Sequence, residues 1–230
     1  MVAGWSAAQV KAAEKPHLDA GEPLMQRASA ALADLVDDEL RRADRWPGRV
    51  LVLAGSGDNG GDALFAAALL AARGCTVTIL ATGSRLHEDG LVAAIGGGAV
   101  VDDAEVWLDP AVATERLGRV DLVIDGILGT GTSASPALRG RARDLVEVLL
   151  PAVGRADGPP VVAVDIPSGI GPDDGSVPDP VVLPARLTVT FGGHKAGLLI
   201  APASELAGEV VLVDIGIGDE LAAMPPIVEV

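Results

Sequence analysis

Aromatic residues are scarce: tyrosine is absent, and two Phe and three Trp make up 2 % of the 230 residues. A core must therefore be built from Ala, Val, Leu and Ile, which the 49 % hydrophobic content supplies. The single cysteine, Cys75, excludes an intrachain disulfide and a cysteine-cluster metal site. At the start of an expected strand it reads as a small buried residue rather than a nucleophile. The histidines His17, His87 and His194 lack metal-ligand spacing. Positive charge is short too: 17 Lys and Arg face 32 Asp and Glu, for a net charge of −15. Such a field repels nucleic acid and anionic membranes. Screening over roughly 10 Å still permits a phosphate-bearing small ligand. No run reaches the ~20 apolar residues of a membrane span. No basic segment followed by an apolar one opens the chain, so no signal peptide is expected and a cytoplasmic location is. The length suits one domain over residues 1–230.

What is present centres on Gly55-Ser56-Gly57-Asp58-Asn59-Gly60-Gly61-Asp62. The unbroken apolar run 50–54 before it reads as a buried parallel strand. The Ala/Leu/Phe segment 63–72 after it reads as a helix of about three turns. Strand, glycine turn and helix start is where α/β proteins place phosphates and nucleotides. The glycines satisfy G-x-G-x-x-G, but the next strand, 76–80, runs into Ala81-Thr82-Gly83 without the acidic residue that would hold a ribose. Asp58 and Asp62 also stand where a pyrophosphate would sit, and no Gly-Lys-Ser/Thr follows. The turn suits a cation, an amide or sugar hydroxyls better than bare phosphate.

Elsewhere, Ser6 is a predicted N-cap for a helix through Glu14, ended by Pro16. A second helix spans 23–42, with Leu24, Ala28, Leu32, Leu35 and Val36 at helical spacing. Helices at 89–95 and 109–117, a short strand near 100–101, and strands at 120–125 and 161–165 follow. A helix over 138–150 is expected to close at Pro151. Residues 169–184, rich in Pro, Gly and Asp, read as a surface excursion, and strands are expected at 187–191 and 210–215. This alternation predicts a mainly parallel central sheet covered by helices on both faces.

Three of the strands end in polar turns, at Gly55, Asp125-Gly126 and Asp165-Ile166-Pro167-Ser168. In a parallel sheet their carboxyl ends share one edge, which would gather Asp58, Asn59, Asp62, Asp125, Asp165 and Ser168 beside the small-residue loop 129–133. Oxygens from Asn, Asp, Ser and carbonyls can bind a hard cation, and with one or two charges a monovalent ion fits as well as magnesium. No Gly-x-Ser-x-Gly surrounds Ser168, which disfavours a hydrolase.

The glycine turn, Asp125-Gly-Ile-Leu-Gly-Thr-Gly131, Asp165-Ile-Pro-Ser-Gly169 and Thr190-Phe-Gly-Gly-His-Lys-Ala-Gly197 resemble, in order, the motifs of the NAD(P)H-hydrate epimerase family. The segment Leu24-Met25-Gln26-Arg27-Ala28 is similar to that family's N-terminal helix. The resemblance implies an α/β fold, a three-layer αβα Rossmann-like sandwich with a mainly parallel central sheet, and interconversion of the R and S forms of hydrated NADH and NADPH (NADHX and NADPHX). It implies potassium (K+) held by Asn59, Asp125 and Ser168. The implied substrate contacts are Asp58, Asn59, Gly60, Gly61, Asp62, Gly129, Thr130, Gly131, Thr132, Ser133, Ala134, Ser135 and Asp165. Asp125 is expected to be the carboxylate nearest the reacting carbon. The sequence departs from the family at Asp58, usually Asn, and Ala63, usually Gly. Segment 132–136 also lacks the family's basic residue, for which Arg139, Arg141 or Lys195 could substitute. A homodimer through the N-terminal helices is expected, as is a dehydratase, separate or fused beyond the linker-like residues 225–230. A non-catalytic binding or interaction module on the same scaffold is the competing reading.

Overall fold

The computed structural model describes residues 1–131, 135–153, 155 and 157–230. In chain order these form β1 (Ala3–Gly4), α1 (Ala7–Asp19), α2 (Leu24–Arg42), β2 (Arg49–Ala54), α3 (Asp58–Ala72), β3 (Thr76–Ala81), α4 (Glu88–Gly97) and β4 (Val100–Asp102). After a 3₁₀ turn at Ala104–Leu108 come α5 (Pro110–Leu117), β5 (Leu122–Gly126), α6 (Gly140–Val153), β6 (Val161–Val164), β7 (Leu187–Phe191), β8 (Glu209–Val213), α7 (Gly218–Ala222) and β9 (Val228–Glu229).

Seven strands form one sheet in the order β4-β3-β2-β5-β6-β7-β8, and every neighbouring pair is parallel. The two-residue period of a strand sorts side chains to opposite faces. On β2, Val50, Val52 and Ala54 pack with Leu32 and Val36 of α2 and Leu64 and Leu70 of α3. Leu51 and Leu53 face the other way, with Leu117 of α5 and Leu145 and Leu149 of α6. Both faces are therefore covered, giving the expected αβα sandwich. Aliphatic contacts dominate both layers, as the near-absence of aromatics requires.

Four local expectations are corrected. Helix α3 starts at Asp58 rather than at residue 63, so the second half of the glycine stretch is itself the first helical turn. Neither proline stops its helix: Pro16 lies inside α1 and Pro151 inside α6. Each falls near the C-terminal end, where a missing N–H costs only one ladder bond, while Val10, Ala13, Leu145 and Leu149 hold the helices by burial. Residues 169–184 also return to the protein: Ile170, Val181, Val182 and Leu183 are buried. There the Asp174 and Asp179 carboxylates accept from the Ser176 and Val181 amides, turning the chain back inward. Ser6 does cap α1, in a reciprocal box with Gln9. Among the described residues no helix is long and apolar enough to cross a membrane.

Candidate active site

Strands β2, β5 and β6 are adjacent, with Ala54 opposite Gly126 and Asp125 opposite Ala163. Their carboxyl-end turns consequently meet. The Gly55 N–H donates to the Gly126 carbonyl at 2.9 Å. A Cβ on Gly55 would lie 1.8 Å from the Ile127 oxygen, so only glycine permits this approach. Ala63, the family departure, is accommodated across from Gly126, where any Cβ would come within 2.5 Å of the Ala63 methyl.

Asn59 on the first turn of α3 is buried, and its Nδ2 donates to the Val164 carbonyl at 2.5 Å and the Leu128 carbonyl at 3.3 Å. The Ser168 hydroxyl donates to Asp125 Oδ1 at 2.6 Å, the shorter of its two options, the other being the Leu128 carbonyl at 3.2 Å. The Leu128 N–H donates back to Ser168 Oγ at 2.8 Å. Asn59, Ser168 and Asp125 are thus joined through the Leu128 peptide, although they come from three distant turns. Asp125 is fully buried. Burial pushes its carboxyl above the usual value, and hydrogen bonds from Ser168 and Ile127 pull it back. Its Oδ2 accepts from the Ser168 N–H at 2.9 Å and its Oδ1 also accepts from the Ile127 N–H at 3.3 Å.

A cleft of about 630 Å³ opens over this junction. Asp58, Asn59, Gly129, Thr130, Gly131 and Ser135 of the expected substrate set lie on its wall. Gly60, Gly61, Asp62 and Asp165 do not, and Asp125 and Ser168 sit behind it. Thr132, Ser133 and Ala134 lie outside the described residues. Sequence reading missed Ser56, Thr82 and Gly83 on the wall. The signal for Thr82 and Gly83 was available: β3 neighbours β2, so its carboxyl end must open on the same edge. Of the three basic candidates, Arg139 is on the wall. Arg141 is instead paired with Glu105 at 2.9 Å, and Lys195 is 2 % exposed and cannot meet a phosphate.

Lys195 belongs to a second buried group. Its Nζ donates to Asp165 Oδ1 and to the Phe191 carbonyl, the latter at 2.8 Å. Asp165 Oδ1 also accepts from Thr190 Oγ1 at 3.1 Å and the Phe191 N–H at 3.3 Å. Asp165 takes a left-handed φ of 67°, an uncommon conformation that Asp adopts more readily than most residues. Near it, Asp62 is 7 % exposed. Burial, with the charges of Asp165 and Asp58, drives the Asp62 carboxyl well above the usual range.

The cation implied by the resemblance can be tested against this donor set. Among the described residues no cluster of three or more His, Cys, Asp and Glu side chains could hold a metal ion. The junction instead presents neutral oxygens plus one buried carboxylate, and among the described residues no ion pair includes Asp125. A buried carboxylate without a cation is costly, and hard oxygen donors with one formal charge fit a monovalent ion.

Residues 21–197 match the family model described as YjeF-related protein N-terminus. A protein of Clavibacter michiganensis subsp. michiganensis named NAD(P)H-hydrate epimerase is 50 % identical over 98 % of this chain and 94 % of its own. A protein of Thermanaerovibrio acidaminovorans named bifunctional NAD(P)H-hydrate repair enzyme is 37 % identical over 93 % of this chain and 40 % of its own. The crystal structure of the yeast protein ynu0 superposes with a TM-score of 0.69 at 21 % identity, covering 93 % of this chain and 88 % of that one, which supports the fold. The chain belongs to the YjeF-related N-terminal family, which it shares with proteins named NAD(P)H-hydrate epimerase.

Proposed function

We propose that this protein interconverts the R and S forms of hydrated NADH and NADPH. The observation that carries the reading is the junction of Asn59, Ser168 and Asp125 through the Leu128 peptide, at the floor of a cleft large enough for a nucleotide. Relatives of near-equal length that are named for this reaction support it. A nicotinamide-dependent oxidoreductase fits less well, because Thr82 and Gly83 occupy the end of β3 where a ribose-binding carboxylate would stand.

The reacting centre is a carbinolamine carbon, C6 of the hydrated nicotinamide ring. Inverting it requires the hydroxyl to leave one face and return on the other, with proton transfer at each step. Arg139 on the cleft wall offers the positive charge for the substrate's phosphates, and Asp58 an acceptor for ribose hydroxyls. Asn59 is oriented by the Val164 and Leu128 carbonyls and fixes the floor. Asn59, Asp125 and Ser168 would hold potassium, whose charge offsets that of the buried carboxylate and favours a departing oxygen. Asp125 acts from behind the wall by its charge.

The test presents R-configured hydrate together with an S-specific dehydratase and follows the absorbance of recovered reduced cofactor. Recovery well above the spontaneous rate, greater in potassium than in sodium, is expected; recovery at the spontaneous rate would end the proposal. The reading also carries a dehydratase acting on the S epimer, separate or fused, and a relative named bifunctional, of which this chain covers 40 %, supports the fused form. It carries a homodimer through α1 and α2 as well, for which sedimentation should give twice the 23.1 kDa chain mass.

A further inference from the structure

The buried carboxylates of this molecule differ in one respect that bears on chemistry: whether an oxygen is left open. Asp125 has donors on both oxygens, from Ser168 and Ile127, and no exposure, which leaves lone pairs for a bare ion but no access for substrate. Asp165 is the reverse. Its three donors, Lys195, Thr190 and the Phe191 N–H, all fall on Oδ1, and its side chain keeps 9 % exposure. Oδ2 is the atom left over.

Asp62 is a complementary case. Its neighbour Ser29 lies 3.4 Å from Asp62 Oδ1, but the single Ser29 hydrogen is directed to the Met25 carbonyl at 2.6 Å. The Asp62–Ser29 contact is therefore attractive when Asp62 carries the proton and donates it to Ser29 Oγ. No cation pairs with Asp62 among the described residues, whereas Lys195 pairs with Asp165. The groups facing the two are Glu14 of α1, Ser29 of α2, Asp58 of α3, and Thr190 with Lys195 on and after β7. Asp58 and Asp62 are four residues apart on one face of α3, and Asp58 is on the cleft wall, so Asp62 continues that face inward.

Two carboxyls in contrasting environments, one paired with a lysine and one buried with no cation beside it, suit opposite roles in acid–base chemistry. We propose that Asp62 and Asp165, both behind the cleft wall, are the proton donor and acceptor of the epimerisation through a bridging water, and that Lys195 is a positioning residue which binds one oxygen of Asp165 and leaves the other free to take a proton. The inference rests on the epimerase reading. In the R-to-S direction the C6–O bond breaks and its electron pair leaves with the oxygen, which takes the Asp62 proton and departs as water. The N1 lone pair forms the C6–N1 double bond. Water then adds to the opposite face, its second proton passes to Asp165, and the π electrons return to N1. Solvent returns the proton from Asp165 to Asp62, so nothing is consumed.

The experiment compares Asp62→Asn, Asp165→Asn, Lys195→Gln and Asp125→Asn in the coupled assay, with circular dichroism as a folding check. Asp165→Asn keeps an acceptor for Lys195, and Asp62→Asn keeps the side-chain size and an oxygen beside Ser29, so both should fold. Each is expected to lower kcat on the order of 10²- to 10⁴-fold with KM little changed. Lys195→Gln should lower kcat less and leave KM little changed, because Asp165 loses the partner that fixes its Oδ1. Inversion in ¹⁸O-water should place solvent oxygen on C6. Wild-type kcat in Asp165→Asn or Asp62→Asn overturns the inference, as does retention of the original oxygen. An inactive wild-type protein would instead overturn the epimerase reading.

Discussion

At the level of single residues, the site depends on glycines whose missing Cβ lets turns touch. Gly55→Ala would put a methyl 1.8 Å from the Ile127 oxygen, a backbone atom that cannot swing aside. Overpacking of this kind costs about 1–3 kcal/mol, and denaturant unfolding should register it. Gly129→Ala meets Asn59 Oδ1 at 2.1 Å and should act on activity instead, by displacing the side chain that orients the floor. That these glycines, Asn59 and Ser168 meet at one sheet edge was legible in the motifs. The fate of Lys195 was not: nothing in Gly-Gly-His-Lys-Ala-Gly distinguishes a phosphate ligand from a buried partner of Asp165. Burial is settled by what β7 and the following loop pack against, which no local pattern encodes.

At the scale of elements, hydrophobic period and strand order were readable because a parallel sheet covered on both faces demands unbroken apolar strands. Helix ends at Pro16 and Pro151 were misjudged because local breaking is weaker than burial of the faces before it. Elements far apart in sequence are also tied electrostatically. His17 at the end of α1 lies 2.8 Å from Glu22 and 3.1 Å from Glu220 on α7. Those carboxylates raise the His17 pKa, and His17 lowers theirs. The histidine's contribution is present below its unfolded pKa and is lost as pH rises through the raised folded value. The glutamates' contribution is present above their unfolded pKa and is lost as pH falls through the lowered folded values. The tie is therefore strongest from above the carboxylate range up to the unfolded histidine pKa. His17→Gln should flatten the pH dependence of thermal unfolding on the alkaline side of that window.

For the whole molecule, a net charge of −15 implies self-repulsion that salt relieves. The melting temperature should rise as ionic strength approaches 0.15 M, where the Debye length is about 8 Å. Potassium chloride should exceed sodium chloride at equal ionic strength, and Asp125→Asn should abolish that difference while leaving the general salt effect. Equal melting curves in the two salts would count against a potassium site. Composition, periodicity and motif order were enough to specify an αβα sandwich, the edge where its polar turns meet and its family, because each follows from short-range patterning and chain connectivity. Which carboxylate keeps an open oxygen, which lysine is buried, and how the Pro- and Gly-rich segment folds back are set by packing between distant segments. Those contacts form only when the sheet brings the ends of β2, β5, β6 and β7 together.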